Sequence, residues 1–213
     1  MTKPPGAFES VSGKLDADFP SFGAEPADAL ALASTWLEQA ELEKVREPRS
    51  MTFSTFNTTD GITSRVMAAL DLSVAGLTFA THRTSTKALD IASNGAGCAH
   101  FYWRELGRQL SLTGTVTELS SEISDSVWNK RPVPLHAMSV ASHQSEELND
   151  AAALLVRAQE LSEAGPLPRP AHFAVYCLRP LQVEFWGASA NRLHRRLRYR
   201  KAEFSWSPHW LQP

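Results

Sequence analysis

The segment at residues 84–90, TSTKALD, combines hydroxyl side chains with a lysine at the start of a predicted helix. Backbone N–H groups at a helix N-terminus, hydroxyl groups and one ammonium group are together typical of an anion site. Lys87 would supply the positive charge. The same pattern also fits an ordinary serine or threonine cap followed by a solvated lysine. This segment alone does not separate the two interpretations.

Two isolated arginines are further candidates for chemistry. Arg65 lies within an otherwise apolar predicted strand, SRVMAALDL, where a guanidinium group needs either an anionic partner or an exposed face. Arg131 follows a predicted helix and precedes several polar residues, among them His136, His143 and Gln144. These side chains could form a hydrogen-bonding site or belong to an ordinary loop.

The segment at residues 191–201, NRLHRRLRYRK, is strongly basic. As a strand it would place Arg192, His194, Arg196 and Arg198 on one face. Such a run could bind nucleic acid, or it could be a solvated edge strand whose arginines discourage further pairing. Because the formal net charge is −2 and no nucleic-acid motif is present, we predict no nucleic-acid partner.

Several other classes of site find no support in the sequence. There is no GxSxG nucleophile elbow and no GxGxxG dinucleotide motif. The seven histidines and two cysteines lack the spacing of metal ligands, so we predict no metal site. Free cysteines, the lack of a secretory signal at the start and the lack of a long apolar run predict a cytoplasmic protein without a membrane segment.

The composition predicts one folded domain preceded by an arm. Of the 213 residues, 43% are hydrophobic and 21% are charged, as in ordinary globular proteins. Residues 1–25 are rich in proline and glycine and are predicted to be a flexible N-terminal arm, whereas 26–213 form the single domain.

Periodicity and turn residues predict the elements of this domain. Helices are predicted over residues 26–45, 85–94, 121–131 and 145–164, the last one capped by Ser145. Strands are predicted over residues 51–57, 62–72, 77–81, 97–105, 108–119 and 172–187, the last one broken into two at Pro180. Short strands joined by tight turns indicate a mainly β fold with flanking helices, arranged as an antiparallel barrel or meander.

The motifs taken together are more specific than any one of them. The segment EFWGASANRLHRRLRY, residues 184–199, resembles the C-terminal signature of the pyridoxine 5′-phosphate oxidase family, EFW followed by RLH-x-R-x-x-Y. The strand led by Arg65, the segment 85–87, Gln109 and the pair Gln144-Ser145 match other family motifs in the same order. This resemblance implies a split β-barrel that binds FMN, with two cofactor sites at the interface of a homodimer.

The resemblance also implies which residues bind the cofactor, several of them coming from the second subunit. Carried over position by position, they are Arg65, Val66, Met67, Ala68, Ala69, Leu70, Ala80, Thr81, Ser85, Thr86, Lys87, Gln109, Gln144, Ser145, Trp186 and Arg196. Arg65 and Lys87 would bind the FMN phosphate. Thr86 stands where family members usually have arginine, so the phosphate would meet one cation fewer.

The substrate positions depart further from the family pattern. Members hold the phosphate of a vitamin B6 substrate with Lys, Tyr, Arg and Ser, whereas this chain has Leu70, Val127, Arg131 and Leu135. An unpaired phosphate oxygen in such a pocket would cost about 1–3 kcal/mol. Aliphatic walls suit a flat aromatic body instead. Arg131, together with Arg192 and His194, would hold a carboxylate or a ring nitrogen.

With these replacements the sequence resembles a branch of the family that acts in bacterial phenazine biosynthesis. The resemblance implies an FMN-dependent oxidase for partly reduced phenazine carboxylic acids, with O2 reoxidising the flavin to give hydrogen peroxide. Pyridoxine or pyridoxamine 5′-phosphate oxidation is the first alternative. A non-catalytic flavin or haem carrier on the same barrel is the second, and the retained Arg192-Leu193-His194 segment argues against it.

Overall fold

The computed structural model describes residues 15–213. This part of the chain contains five α-helices, one short 3-10 turn and nine strands. The helices are α1 (Ala29–Leu42), α2 (Thr86–Asn94), α3 (Ser121–Lys130), α4 (Pro134–Ala141) and α5 (Ala151–Glu163). The strands are β1 (Ser50–Asn57), β2 (Gly61–Ala68), β3 (Asp71–Ser73), β4 (Gly76–His82), β5 (Ala96–Trp103), β6 (Arg108–Glu118), β7 (Phe173–Gly187), β8 (Arg195–Lys201) and β9 (Trp206–Leu211).

All strands belong to one antiparallel sheet. Its order is β2-β1-β5-β6-β7-β4-β3, and β8 pairs with both β7 and β9. Over residues 15–213 no ladder joins β2 to β3, so the sheet curves around its core without closing. The predicted mainly β fold with flanking helices is therefore confirmed. None of the helices in this part is long and apolar enough to cross a membrane.

Strand β7 runs unbroken through Pro180, although the sequence predicted two strands there. The pairing with β6 shifts register at Gly114, and Leu181 is left as the extra residue of a bulge. A Cβ at Gly114 would lie 2.1 Å from the carbonyl oxygen of Arg179, so only glycine permits this approach. The bulge lets a proline, which has no N–H to donate, stay inside a long strand.

The predicted helix over residues 145–164 is wrong at its start. Helix α5 begins at Ala151, and the side chain of Asp150 caps it by accepting the N–H of Ala153. Ser145 has a φ of 73°, a left-handed conformation that no helix contains. A separate helix, α4, was missed, although Pro134 occupies its first turn.

Two predicted strands have different bounds in the structure. The segment 62–72 divides, because β2 ends at Ala68 and Leu72 belongs to β3, which pairs with β4. The strand predicted from the basic segment begins only at Arg195, because Arg192 has a φ of 67°. Within β8 the alternation holds, since Leu197 is fully buried and the arginines on either side of it are partly exposed.

Residues 15–25, part of the predicted arm, lie against the sheet. Phe19 is 9% exposed, and its ring packs edge-on against Trp36 with centroids 5.6 Å apart. The N–H of Ala17 donates to the carbonyl oxygen of Ala188 at 3.0 Å. Residues 1–14 lie outside the described part of the chain, so the mobility of the arm stays a prediction.

The packing of this segment can be tested with two phenylalanines three residues apart. Phe19→Ala should lower the free energy of unfolding by about 3 kcal/mol, because it removes a buried aromatic ring from the core. Phe22 is 81% exposed, and Phe22→Ala should cost at most about 0.5 kcal/mol. Urea unfolding of both variants measures the difference. Equal effects would show that residues 15–25 do not pack as described.

Candidate active site

Arg65 is held on β2 by oxygen atoms from three neighbouring positions. Its Nη1 donates to Thr55 Oγ1 at 2.8 Å and to the carbonyl oxygens of Phe53 and Thr63 at 3.2 Å. Its Nη2 donates to Thr63 Oγ1 at 2.7 Å. These contacts fix the guanidinium group on the β1–β2 hairpin.

A buried carboxylate on α2, that of Asp90, holds the Thr55 hydroxyl that Arg65 contacts. Asp90 is 4% exposed and accepts hydrogen bonds from Thr55 Oγ1 at 2.6 Å and Asn57 Nδ2 at 2.9 Å. Thr55 therefore donates its proton to Asp90, which leaves its oxygen lone pairs to accept from Arg65. Burial lowers the pKa of Arg65, and the negative charge of Asp90 acts in the opposite direction.

Lys87 lies in the first turn of α2 with polar neighbours. Its Nζ is 3.0 Å from Thr81 Oγ1 and 3.2 Å from Gln144 Oε1. Thr81 also contacts Ser85 Oγ at 3.2 Å and Gln144 Oε1 at 3.0 Å. Burial first, and then the charge of Arg65, lower the pKa of Lys87 to about 8.

Gln144 and Ser145, about sixty residues further along the chain, contact the start of α2. Besides the contacts of Gln144, the hydroxyl oxygen of Ser145 accepts the N–H of Thr86 at 3.1 Å. Ser145 thus occupies the N-terminus of α2 rather than capping its own helix. We call Arg65, Thr81, Ser85, Lys87, Gln144 and Ser145 the cation cluster.

The two positive charges of the cation cluster have no acidic partner. Within residues 15–213 neither Arg65 nor Lys87 lies within 4.0 Å of a carboxylate. Two partly buried cations beside hydroxyl groups and a helix N-terminus favour an anion, and a phosphate group fits this set. The interpretation of residues 84–90 as an anion site is therefore favoured over that of a solvated cap.

A second group of predicted site residues lies side by side on three strands. Gln109 on β6 is the register partner of Trp186 on β7, which is the partner of Arg196 on β8. The rings of Trp186 and His194 have centroids 4.7 Å apart. We call Gln109, Trp186, His194 and Arg196 the tryptophan cluster.

The charge of Arg196 is already paired within this chain. Its Nη2 lies 2.6 Å from Glu184 Oε1, and its Nη1 donates to the carbonyl oxygen of Gln212 at 3.2 Å. Glu184 also pairs with Arg198 at 2.9 Å. Because the single negative charge of Glu184 is shared by Arg196 and Arg198, the charge of Arg196 is only partly balanced.

His194 has a defined tautomer when it is neutral. Its Nδ1 lies 3.1 Å from the backbone N–H of Ser189 and accepts that hydrogen, so the ring proton resides on Nε2. His194 also borders a cleft of about 350 Å³ that Leu193, Arg196 and Pro213 line as well. Arg192 is exposed beside it and lies within 4.0 Å of no carboxylate of residues 15–213.

The predicted substrate residues on the helical side surround Arg131, which lies at the end of α3. Its Nη2 donates to Ser139 Oγ at 3.2 Å, and its guanidinium carbon lies 5.6 Å from the centroid of the Phe173 ring. Its Nε is buried without a partner, and burial lowers its pKa. Val127 packs on the cluster of Trp128, Phe173 and Val175.

The other predicted positions differ widely in exposure. Val66 and Ala68 face outward at the end of β2, whereas Ala69 is buried in the core and Met67 packs against it. Leu70 and Leu135 are 38% and 49% exposed. Ala80 packs beside Val127 against the Trp128 cluster. The N–H of Thr86 is engaged by Ser145, and its threonine side chain brings no positive charge.

The cation cluster and the tryptophan cluster are separate within one chain. Over residues 15–213 no hydrogen bond, ion pair or ring contact joins a member of one to a member of the other. The structure therefore brings the predicted site residues together as two half-sites.

Sequence reasoning missed the residues that support these half-sites. Asp90 and Thr55 hold Arg65, and Glu184 pairs with Arg196. His82 and His172 lie beside Gln144 with their rings 4.3 Å apart. The glutamate was visible in the EFW motif, but nothing in the local sequence marked the other four, since their contacts join distant segments.

Comparison with known proteins agrees with the sequence motifs. The family model described as the pyridoxine 5′-phosphate oxidase C-terminal dimerisation region matches residues 173–213, which include β7, β8 and β9. The dihydrophenazinedicarboxylate synthase of Burkholderia lata is 42% identical over 207 residues, which cover 97% of this chain and 98% of that protein.

One further relative and one solved structure extend the comparison. The pyridoxine/pyridoxamine 5′-phosphate oxidase of Actinobacillus succinogenes is 33% identical over 88% of this chain and 90% of its own length. The crystal structure of PhzG from Burkholderia lata 383, in complex with tetrahydrophenazine-1-carboxylic acid, superposes with a TM-score of 0.89. That match is 42% identical and covers 94% of this chain and all of the other. On this evidence the chain belongs to the pyridoxine 5′-phosphate oxidase family, with the split-barrel fold of that family.

Proposed function

We propose that this protein is an FMN-dependent oxidase that completes phenazine biosynthesis by oxidising partly reduced phenazine carboxylic acids. The observation that carries the proposal is the 42% identity, along nearly the full chain, to a dihydrophenazinedicarboxylate synthase. The similar PhzG structure contains tetrahydrophenazine-1-carboxylic acid, which is a substrate of the proposed class.

The cation cluster supports FMN as the cofactor. Arg65 and Lys87 lack acidic partners within the described residues, and a phosphate group would supply the missing negative charge. Ser85, Thr81 and Ser145 add hydroxyl groups. The N-terminus of α2, which lies beside Ser145, also favours an anion. FMN, when bound, would accept two electrons from the substrate as one hydride, together with a proton, and would pass two electrons and two protons to O2, which gives hydrogen peroxide.

Two half-sites in one chain support a homodimer with FMN at its interface. The tryptophan cluster offers a planar ring, an amide and a guanidinium group, which suit the ring system of a flavin. In a two-fold dimer the tryptophan cluster of one subunit can face the cation cluster of its partner, and the symmetry then builds two complete sites.

The side chains of the substrate pocket favour an aromatic acid over a phosphate ester. Within residues 15–213 Arg131 lies within 4.0 Å of no carboxylate, so an incoming carboxylate would supply the missing partner for its charge. Leu70 and Leu135 present apolar surface where a phosphate would need donors. His194 can donate from Nε2 to an oxygen or nitrogen of the substrate, and Arg192 can stabilise negative charge next to it.

The second candidate function is oxidation of pyridoxine 5′-phosphate. The 33% identity to an enzyme of that name and the retained Arg131 favour it. The replacement of three polar phosphate contacts by Leu70, Val127 and Leu135 speaks against it.

Oxygen consumption by the flavin-loaded protein tests the choice of substrate. A freshly reduced dihydrophenazine carboxylic acid should be oxidised at least about a hundredfold faster than pyridoxine 5′-phosphate, since lost contacts of ~1–3 kcal/mol each combine. Uncatalysed oxidation is subtracted with protein-free samples. Faster turnover of the vitamin would show that Arg131 suffices for phosphate and that the proposed substrate is wrong.

The pKa of Lys87 predicts how FMN affinity depends on pH. The charged ammonium group binds phosphate, and the free protein loses this proton near pH 8. The dissociation constant should therefore rise about tenfold between pH 7 and pH 9. Lys87→Arg should remove this slope, because a guanidinium group stays charged. Fluorescence titration of apo-protein measures the constants, with riboflavin as the ligand without phosphate; a flat profile for FMN would contradict the role of Lys87.

Mixed dimers test whether the half-sites come from different subunits. Lys87→Ala and Arg196→Ala homodimers should each bind FMN poorly. A heterodimer purified through two different tags should regain one intact site, about half the wild-type FMN content. If both residues serve the same subunit's site, every site in the heterodimer carries one defect and no tight binding returns.

A further inference from the structure

Three histidines lie next to the cation cluster and have no part in the proposed function. His82 ends β4 and is 2% exposed, His172 precedes β7, and His143 lies in the loop after α4. The rings of His82 and His172 have centroids 4.3 Å apart, and those of His143 and His172 are 5.5 Å apart.

Hydrogen bonds determine which ring nitrogen donates in His172 and which accepts in His82. The Nε2 of His172 is 2.9 Å from the carbonyl oxygen of Ser139, which can only accept, so His172 donates from Nε2. The Nδ1 of His82 accepts the backbone N–H of Gln144 at 3.5 Å, which is long for such a bond. His82 must therefore be unprotonated at Nδ1.

These contacts hold the segment 139–145 at two points. Ser139 lies in the last turn of α4, and Gln144 and Ser145 lie in the connection between α4 and α5. Ser145 keeps a φ of 73°, a conformation that serine adopts only when its surroundings impose it. The segment therefore needs outside support to place Gln144 and Ser145.

The groups around His82 keep it neutral. Lys87, Arg131, His143 and His172 all face it with basic side chains. Burial, followed by these neighbours, lowers the pKa of His82 to about 4. Its Nδ1 lone pair is thus available to Gln144 at ordinary pH.

We propose that His82 and His172 are positioning residues that hold Gln144 and Ser145 against Lys87 and the N-terminus of α2, and so set the affinity for FMN. The inference deepens the proposed function and depends on it for the identity of the ligand. Within residues 15–213 the two histidines contact the segment 139–145, through the N–H of Gln144 and the carbonyl oxygen of Ser139, so we expect their effect on affinity to pass through Gln144 and Ser145.

The test compares variants that remove each contact with variants that keep it. His82→Leu and His172→Leu abolish the hydrogen bonds. His82→Asn places an acceptor near the Nδ1 position, and His172→Gln places a donor near the Nε2 position. We expect the leucine variants to raise the FMN dissociation constant of the apo-protein about tenfold and the amide variants to stay within about threefold.

A double-mutant cycle separates positioning from general loss of stability. In a Gln144→Ala/Ser145→Ala background, His82→Leu should change the dissociation constant less than about twofold, because the residues it positions are gone. Thermal unfolding of each apo-protein identifies a variant that fails to fold, and the amide variants then carry the comparison. The same loss of affinity in both backgrounds would overturn the proposal.

Hydrogen exchange of the apo-protein supplies a readout that needs no flavin. The amides of residues 142–146 should exchange about tenfold faster in His82→Leu and His172→Leu than in the wild type. Unchanged exchange would overturn the proposal even if FMN binds. If the wild type binds no FMN, the proposed function fails, and faster exchange in the leucine variants would still establish that the histidines hold this segment.

Discussion

The proposed cofactor site depends on two cations that the fold holds close together without a carboxylate beside them. The charge of Arg65 contributes to the lowered pKa of Lys87, so the two groups repel each other. Hydroxyl and carbonyl oxygens hold Arg65 in this position, and Asp90 acts on it through Thr55. Such an arrangement is costly in an empty protein and becomes favourable when an anion binds, which is the electrostatic basis of a phosphate site.

The rest of the molecule positions this pair and the surfaces that complete it. The short helix α2 carries both Lys87 and Asp90, the carboxylate that supports Arg65 through Thr55. The position of this one helix therefore affects both cations. The long strand β7 pairs with β4, β6 and β8 and so connects the cation cluster to the tryptophan cluster through the sheet. The Gly114 bulge is the local feature that allows β7 to keep this length past Pro180.

In the proposed function, the substrate preference depends on the side chains at the predicted substrate positions. Leu70, Val127 and Leu135 provide no donors for a phosphate, while Arg131 keeps a buried nitrogen without a partner. One guanidinium group in apolar surroundings suits a singly charged carboxylate on a flat ring better than a phosphate dianion. It cannot donate to all of the phosphate oxygens, and those left without a partner would cost free energy. In the proposed function, the chain keeps the family fold and prefers a different substrate.

The sequence by itself determined the family and the mainly β fold, because motifs such as RLH and the Arg65 strand occur as local patterns. The positions of the candidate site stay predictions from the same motifs. The sequence also placed α2 well, since the bounds of this helix depend on neighbouring residues. It failed at Ser145, which it assigned to a helix cap. Only the tertiary structure showed that Ser145 accepts the N–H of Thr86 at the start of α2, that Asp90 supports Arg65 through Thr55 and that His82 contacts Gln144. These contacts join residues 35 to 62 positions apart, and no local propensity encodes which distant segments meet.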